Sequence, residues 1–136
     1  MKIYLAASFH RKLEMREIAK ELENAGHEVT SQWIWIDEGS NPALDYWAKR
    51  DLSDIRAADC LVLFTQEIGS GYYTGGRHVE FGVALERKQR LILVGSRENI
   101  FHGLPEVEQC ESWHEAFEHI TDGGGKVAKK DCNITA

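Results

Sequence analysis

A chain of 136 residues, 43% hydrophobic and 28% charged, has the composition of one ordinary globular domain and is too short for two. No apolar run approaches the roughly 18 to 20 residues of a membrane span. A net charge of −6, with no lysine or arginine stripe outside the tail, excludes a chain that grips polymeric nucleic acid by neutralising phosphates; a small anionic ligand needs only a local pocket and is not excluded.

Cys60, Cys110 and Cys132 are odd in number and lack CxxC spacing, so neither a disulfide framework nor a zinc site is expected, and a reducing cytoplasm fits. The opening "MKIYLAASFHRK" returns to charge after about seven apolar or small residues and alternates like a strand, unlike a signal-peptide core.

In chain order, "KIYLAA" (2–7) predicts a short strand. "SFHRKLEMREIAKELENAG" follows as loop and helix, with Leu13, Ile18, Leu22 and Ala25 at helical spacing and Gly26 ending it. "HEVTSQWIW" (27–35) has the β-branched and aromatic content of a second strand, broken by "DEGSNPALD", after which a helix runs from about 43 to 57. "DCLVLFT" (59–65) is continuously apolar, as a central parallel strand covered on both faces must be. A glycine-rich loop then leads to a helix over about 77–87 and a buried strand "RLILVG" (90–95), and "VEQCES" and "WHEAFEHI" supply a last strand and helix.

Five strands alternating with four or five helices predict an α/β fold: a single doubly wound, flavodoxin-like or Rossmann-like domain with a five-stranded parallel sheet. The domain is expected over 1–120, with 121–136 as a C-terminal tail whose three glycines and mixed charge suit a mobile segment or a docking arm. Ligands of such folds bind at the carboxyl ends of the strands.

That edge is where "SGYYTGGRHVEFGVALERKQRLILVG" (70–95) places Glu80, one turn into a helix. The helix dipole there is expected to hold a carboxylate ionised, as a nucleophile requires, and Gly69, Gly71, Gly75 and Gly76 let backbone N–H groups approach a ligand. A plain helix-start acid is the competing reading. In "KRDLSDIRAADCLVLF", Asp51, Asp54 and Asp59 offer a second carboxylate for acid or base work on a glycosidic bond. On one straight helix Asp51 and Asp59 would sit about 80° and about 12 Å apart and so would not share a role. Asp59 reads as a turn acid accepting backbone hydrogen bonds and Asp54 as surface charge. Trp33, Trp35, Tyr72 and Tyr73 are candidates to stack on a flat base. Alternation along a strand would turn only one of Trp33 and Trp35 toward a pocket, with core packing as the other reading for both.

Three stretches, "MKIYLAAS", "DLSDIRAADCLVLF" and "GGRHVEFGVALERKQRLILVG", in this order and spacing over about residues 1–110, resemble the nucleoside 2-deoxyribosyltransferase family. The pattern D-x7-D, strand, glycine-rich loop, G-x-x-x-E-x-G-x-A looks most like its branch that hydrolyses nucleoside 5′-monophosphates, the CMP hydrolases among them. The resemblance implies that Glu80 is the nucleophile attacking the anomeric carbon. It implies that Asp51 orients the nucleophile or assists protonation of the departing base, and that Gly82 and Ala84 are the small residues after the nucleophile. A retaining double displacement through a glycosyl ester follows, with water or a second base resolving it.

The same resemblance places a 5′-phosphate among Ser8, Arg11 and Ser70, with Arg77 and His78 as further anion contacts and Gly71 and Gly76 lending backbone N–H groups. For Arg11 a solvated helix-start arginine is the alternative. Transferase members carry another acid in the loop ahead of the nucleophile; here "EIGSGYYTGGRH" has only Glu67, which weighs against transfer. The partner implied is a small nucleoside or nucleotide, in a homodimer or larger homo-oligomer.

No GxGxxG, P-loop or HExxH is present, and His114 and His119, five apart, do not share a helix face, so neither a metal nor a redox cofactor is expected. Two other readings stay open: an N-glycosidase on another riboside, such as a cytokinin-type monophosphate or a dinucleotide, and a noncatalytic nucleotide sensor that keeps the fold and pocket.

Overall fold

The computed structural model describes residues 1–37, 43–66 and 75–122. Strands β1 (Lys2–Ala6), β2 (Glu28–Val29), β3 (Cys60–Phe64), β4 (Arg90–Val94) and β5 (Val107–Cys110) form one parallel sheet in the order β2-β1-β3-β4-β5. That is the doubly wound architecture expected of alternating elements, with the continuously apolar β3 at its centre and wholly buried. Among the described residues no helix is long and apolar enough to cross a membrane.

Helices α1 (Lys12–Asn24) and α4 (Trp113–Thr121) share one face of the sheet, where the Trp113 indole N–H donates to Glu21. Helices α2 (Leu44–Arg56) and α3 (Gly76–Glu86) pack on each other over the opposite face. The amphipathic spacing of α1 buries Met15, Ile18, Ala19 and Leu22, and Phe81 and Ala84 anchor α3. A core of this kind leaves the strand ends and the α2–α3 seam as the places where polar side chains gather.

One expected element is much shorter than its sequence suggests. β2 pairs with β1 only at Lys2↔Glu28 and Ile3↔Val29, and Trp33–Trp35 form a 3-10 turn instead of a strand. Side chains replace the missing ladder. Leu5 N donates to Ser31 Oγ at 2.8 Å, and Leu5 O accepts from the Trp33 indole at 2.8 Å. From α1, Lys12 and Arg16 reach the carbonyl of Ile36 at 3.2 Å each, so this segment's backbone is satisfied without strand partners. The last helix reaches Thr121, and 123–136, most of the predicted tail, lie outside the described residues.

Candidate active site

The start of α3 is set by Gly75, whose φ of +81° is a left-handed conformation that glycine adopts without a side-chain clash. The helix then begins at Gly76 and presents Glu80 on its second turn. Glu80 does not point to open solvent: it turns toward β1 and α2, where it meets Tyr4 and Asp51.

Three acidic groups from three elements thus converge. Burial, and next the Asp51 carboxylate, push the Glu80 pKa up to about 8, while the Tyr4 hydroxyl pulls it down. Asp51 is itself pushed up to about 6, by burial and then by Asp54. The Tyr4 phenol is raised far above its ordinary value by complete burial and by the same two carboxylates. The expectation that the helix amino terminus keeps Glu80 ionised is therefore overturned. The dipole acts within the first turn, Glu80 lies beyond it, and desolvation beside a second carboxylate is the larger effect.

The cluster also holds unsatisfied polarity. The Tyr4 hydroxyl lies within electrostatic reach of Glu80, yet neither that hydroxyl nor Asp51 Oδ1 completes a well-aligned hydrogen bond among the described residues, although both atoms are buried. Buried groups in this condition are uncommon and concentrate where a protein handles a ligand. Sequence reasoning passed over Tyr4; the signal was a hydroxyl-bearing ring in the middle of an otherwise aliphatic strand, "KIYLA".

The other two aspartates separate cleanly. Asp59 accepts from Lys2 N at 3.1 Å at the amino edge of the sheet, the backbone role expected of it. Asp54 departs from the surface-charge reading: its side chain is only 14% exposed, and Oδ2 accepts from Gln32 N at 3.0 Å while its carbonyl accepts from Thr30 Oγ1 at 2.9 Å. It ties α2 to the segment after β2 and so fixes the helix that carries Asp51.

At the carboxyl edge, Ser8 is buried at the head of the 3-10 turn after β1, and its carbonyl accepts from Arg11 N at 2.9 Å. Arg11 is not a solvated arginine. It grips Glu14 through Nε and Nη2 at 2.7 and 3.0 Å, donates from Nη1 to Thr65 O at 3.2 Å, and lies 5.5 Å from the centre of the Phe64 ring. Gly76 lies exposed at the first position of α3.

Arg77, expected as an anion contact, is buried and paired with Glu98, Nε lying 3.4 Å from Oε1 and Nη2 closer still to Oε2. Its charge is spent inside the protein, holding α3 to the segment after β4, because Glu98 also accepts from Gln66 N at 3.3 Å. His78 is one-third exposed, with its ring 5.6 Å from that of His102 and Nδ1 3.4 Å from Asn99 Nδ2. Burial, then Arg77, lowers its pKa, against the opposing pull of Glu98. Ser70, Gly71, Tyr72 and Tyr73 lie outside the described residues, as does Glu67.

Trp33 belongs to the core: it is 6% exposed, packs 6.2 Å from the Phe9 ring, and spends its indole N–H on Leu5. Trp35 lines a cleft of about 430 Å³ between the 3-10 turn and α2, together with Gln32, Tyr46, Trp47 and Arg50. Strand alternation is not what separates the two tryptophans, since no strand exists there; the turn of a 3-10 helix sends them to different places. The cleft's size and aromatic lining suit a flat small molecule, but Asp51, Glu80 and Tyr4 are not among its lining residues.

No family model matches the chain, and no curated protein sequence matches it. Among solved structures it is similar to a CMP N-glycosidase, BcmB, of Clostridium botulinum (19% identity, TM-score 0.63), covering 88% of this chain and 98% of that one. It is similar also to a 2-deoxyribosyltransferase from Bacillus psychrosaccharolyticus (24% identity, TM-score 0.66), covering 85% of this chain and 90% of that one. At these identities the likeness establishes a shared fold over nearly the whole length of each.

Proposed function

We propose that the chain is an enzyme that cleaves the N-glycosidic bond of a nucleoside, a deoxynucleoside or its 5′-monophosphate. The observation that carries this reading is the convergence, from three elements, of the buried Tyr4 with the half-buried Glu80 and Asp51, a pair of carboxyl groups whose pKa values are both raised. The fold shared with a CMP N-glycosidase and a 2-deoxyribosyltransferase supports the same class of chemistry.

Both carboxyls are raised, so around neutrality the pair retains a proton that two ordinary carboxyls would have lost. That proton is what the departing base needs. Its transfer to the base nitrogen leaves both carboxylates ionised; Glu80 then bonds to the anomeric carbon as the carbon–nitrogen bond breaks and the neutral base leaves. Water resolves the ester: its oxygen bonds to the anomeric carbon, the bond to Glu80 breaks, and one water proton returns to the carboxylate pair. A second base arriving in place of water would yield transfer; Glu67 as the only acid of the preceding loop favours water. Tyr4 stabilises the ionised form of Glu80 at the moment of attack. Arg11 and Ser8, at the carboxyl edge, are the described residues best placed for a 5′-phosphate. A homo-oligomeric assembly is part of the same proposal, and a monomeric mass by light scattering would remove it.

The test is chromatography for free base after incubation with ribo- and deoxynucleosides and their 5′-monophosphates, with and without a second base. Base release that Glu80→Gln abolishes is the expected result. Binding of nucleotides with no release from any of them would replace the enzyme by a sensor.

A further inference from the structure

On the face of the sheet opposite Glu80, three side chains of metal-binding type come together. Cys110 ends β5, and Glu115 and His119 lie on α4 at i and i+4, hence on one side of that helix. Cys110 Sγ is 3.2 Å from His119 Nδ1, and one ligand atom from each of the three residues lies within 4.8 Å of the others. Neither CxxC nor paired-histidine spacing exposes this set, because one member comes from a strand and two from the next helix.

We propose that Cys110, Glu115 and His119 bind a divalent cation of the zinc class, clamping α4 to the edge strand β5. Thiolate, imidazole and carboxylate are the donors zinc takes, and three protein ligands leave a fourth position for water. Ligands about 2.0 and 2.3 Å from one metal sit roughly 3.5 Å apart at the tetrahedral angle, so Cys110 Sγ and His119 Nδ1, 3.2 Å apart in a hydrogen bond, need open only slightly to admit the ion. Binding releases the Cys110 thiol proton to solvent and uses the neutral imidazole of His119. Glu115 already caps its helix, accepting from Glu111 N at 2.9 Å; a carboxylate has lone pairs for both duties.

Cobalt(II), a spectroscopic stand-in for zinc, is titrated into the full chain. One equivalent binds with sulfur-to-cobalt charge-transfer absorption, zinc displaces it, and zinc raises the melting temperature. Cys110→Ser loses the charge-transfer band, and Glu115→Gln and His119→Gln weaken binding at least ~10-fold, the lower bound seen even for outer-shell changes. Cys132→Ser and Glu80→Gln leave it unchanged. Absence of the band in the parent protein, its survival in Cys110→Ser, or binding indifferent to His119→Gln each overturns the site. Should Cys110→Ser fail to fold, the two helix variants decide alone.

Discussion

Asp51 on α2 adds to burial in raising the pKa of Glu80 on α3, across the seam between the two helices. Asp51→Asn removes that negative charge, so the Glu80 pKa falls below about 8, while burial, the larger cause, keeps it above its ordinary value. Carboxyl-carbon NMR titration reads the shift directly. If Asp51 also conducts the proton to the base, base release drops by roughly 10²- to 10⁴-fold, the contribution usual for a positioned acid or base. A Glu80 titration unmoved by Asp51→Asn would dissolve the pair.

Glu80→Gln keeps the shape of the side chain and removes the nucleophile. Base release should fall by at least roughly 10³-fold, with substrate binding by calorimetry nearly unchanged. Equal losses in binding and turnover would assign Glu80 to substrate holding.

The raised carboxyl values also govern stability. The folded pKa of Glu80, about 8, exceeds the ordinary 4.5, and that of Asp51, about 6, exceeds 3.8. The native state therefore keeps protons that the unfolded chain has released. Stability is fully present below the unfolded values and is lost as pH rises, through about 6 for Asp51 and about 8 for Glu80. Urea midpoints should fall from about pH 5 to about pH 8, and Glu80→Gln should flatten the slope while making the protein more stable than its parent at the alkaline end. A slope the variant preserves would place the titration elsewhere.

Tyr4→Phe separates catalysis from folding. Its hydroxyl is buried without a completed hydrogen bond among the described residues, so removal leaves stability within about 1 kcal/mol or improves it. The same change takes away a group that lowers the Glu80 pKa, so the ionisation moves upward and turnover near neutrality declines. Denaturation and a pH–rate profile on one variant check both halves, and a large loss of stability would contradict the first.

Arg77→Ala removes the charged partner of the half-buried Glu98 carboxylate, which keeps its hydrogen bond from Gln66 N, where α3 meets the β3 and β4 ends, and should destabilise the fold by roughly 1–3 kcal/mol. Were Arg77 a phosphate contact instead, the variant would fold normally and show a raised KM for monophosphates alone.

Strand and helix periods sufficed for all five strands, the four helices and the parallel order, because β3 and β4 are continuously apolar and α1 is strongly amphipathic. The end of β2 escaped, since β-branched and aromatic content cannot tell a strand from a segment whose ladder partners are a serine hydroxyl and an indole. Glu80 and Asp51 could be located from their positions; their protonation could not. That depends on the packing of α2 against α3, which brings together residues 29 positions apart in sequence, as the Glu80 and Asp51 numbering shows. Arg77 was misjudged for a related reason: its partner Glu98 follows the next strand, and no local pattern announces the pairing.

The sheet ends in β2 and β5, edges of two and four residues. So short a rim gives another chain little backbone to add a strand to, which guards against fibre growth by edge pairing. Among the described residues, side chains offer a partner more than the sheet edges do; Val79, Ile100 and Phe101, apolar and exposed around the head of α3, are the first surface on which to look.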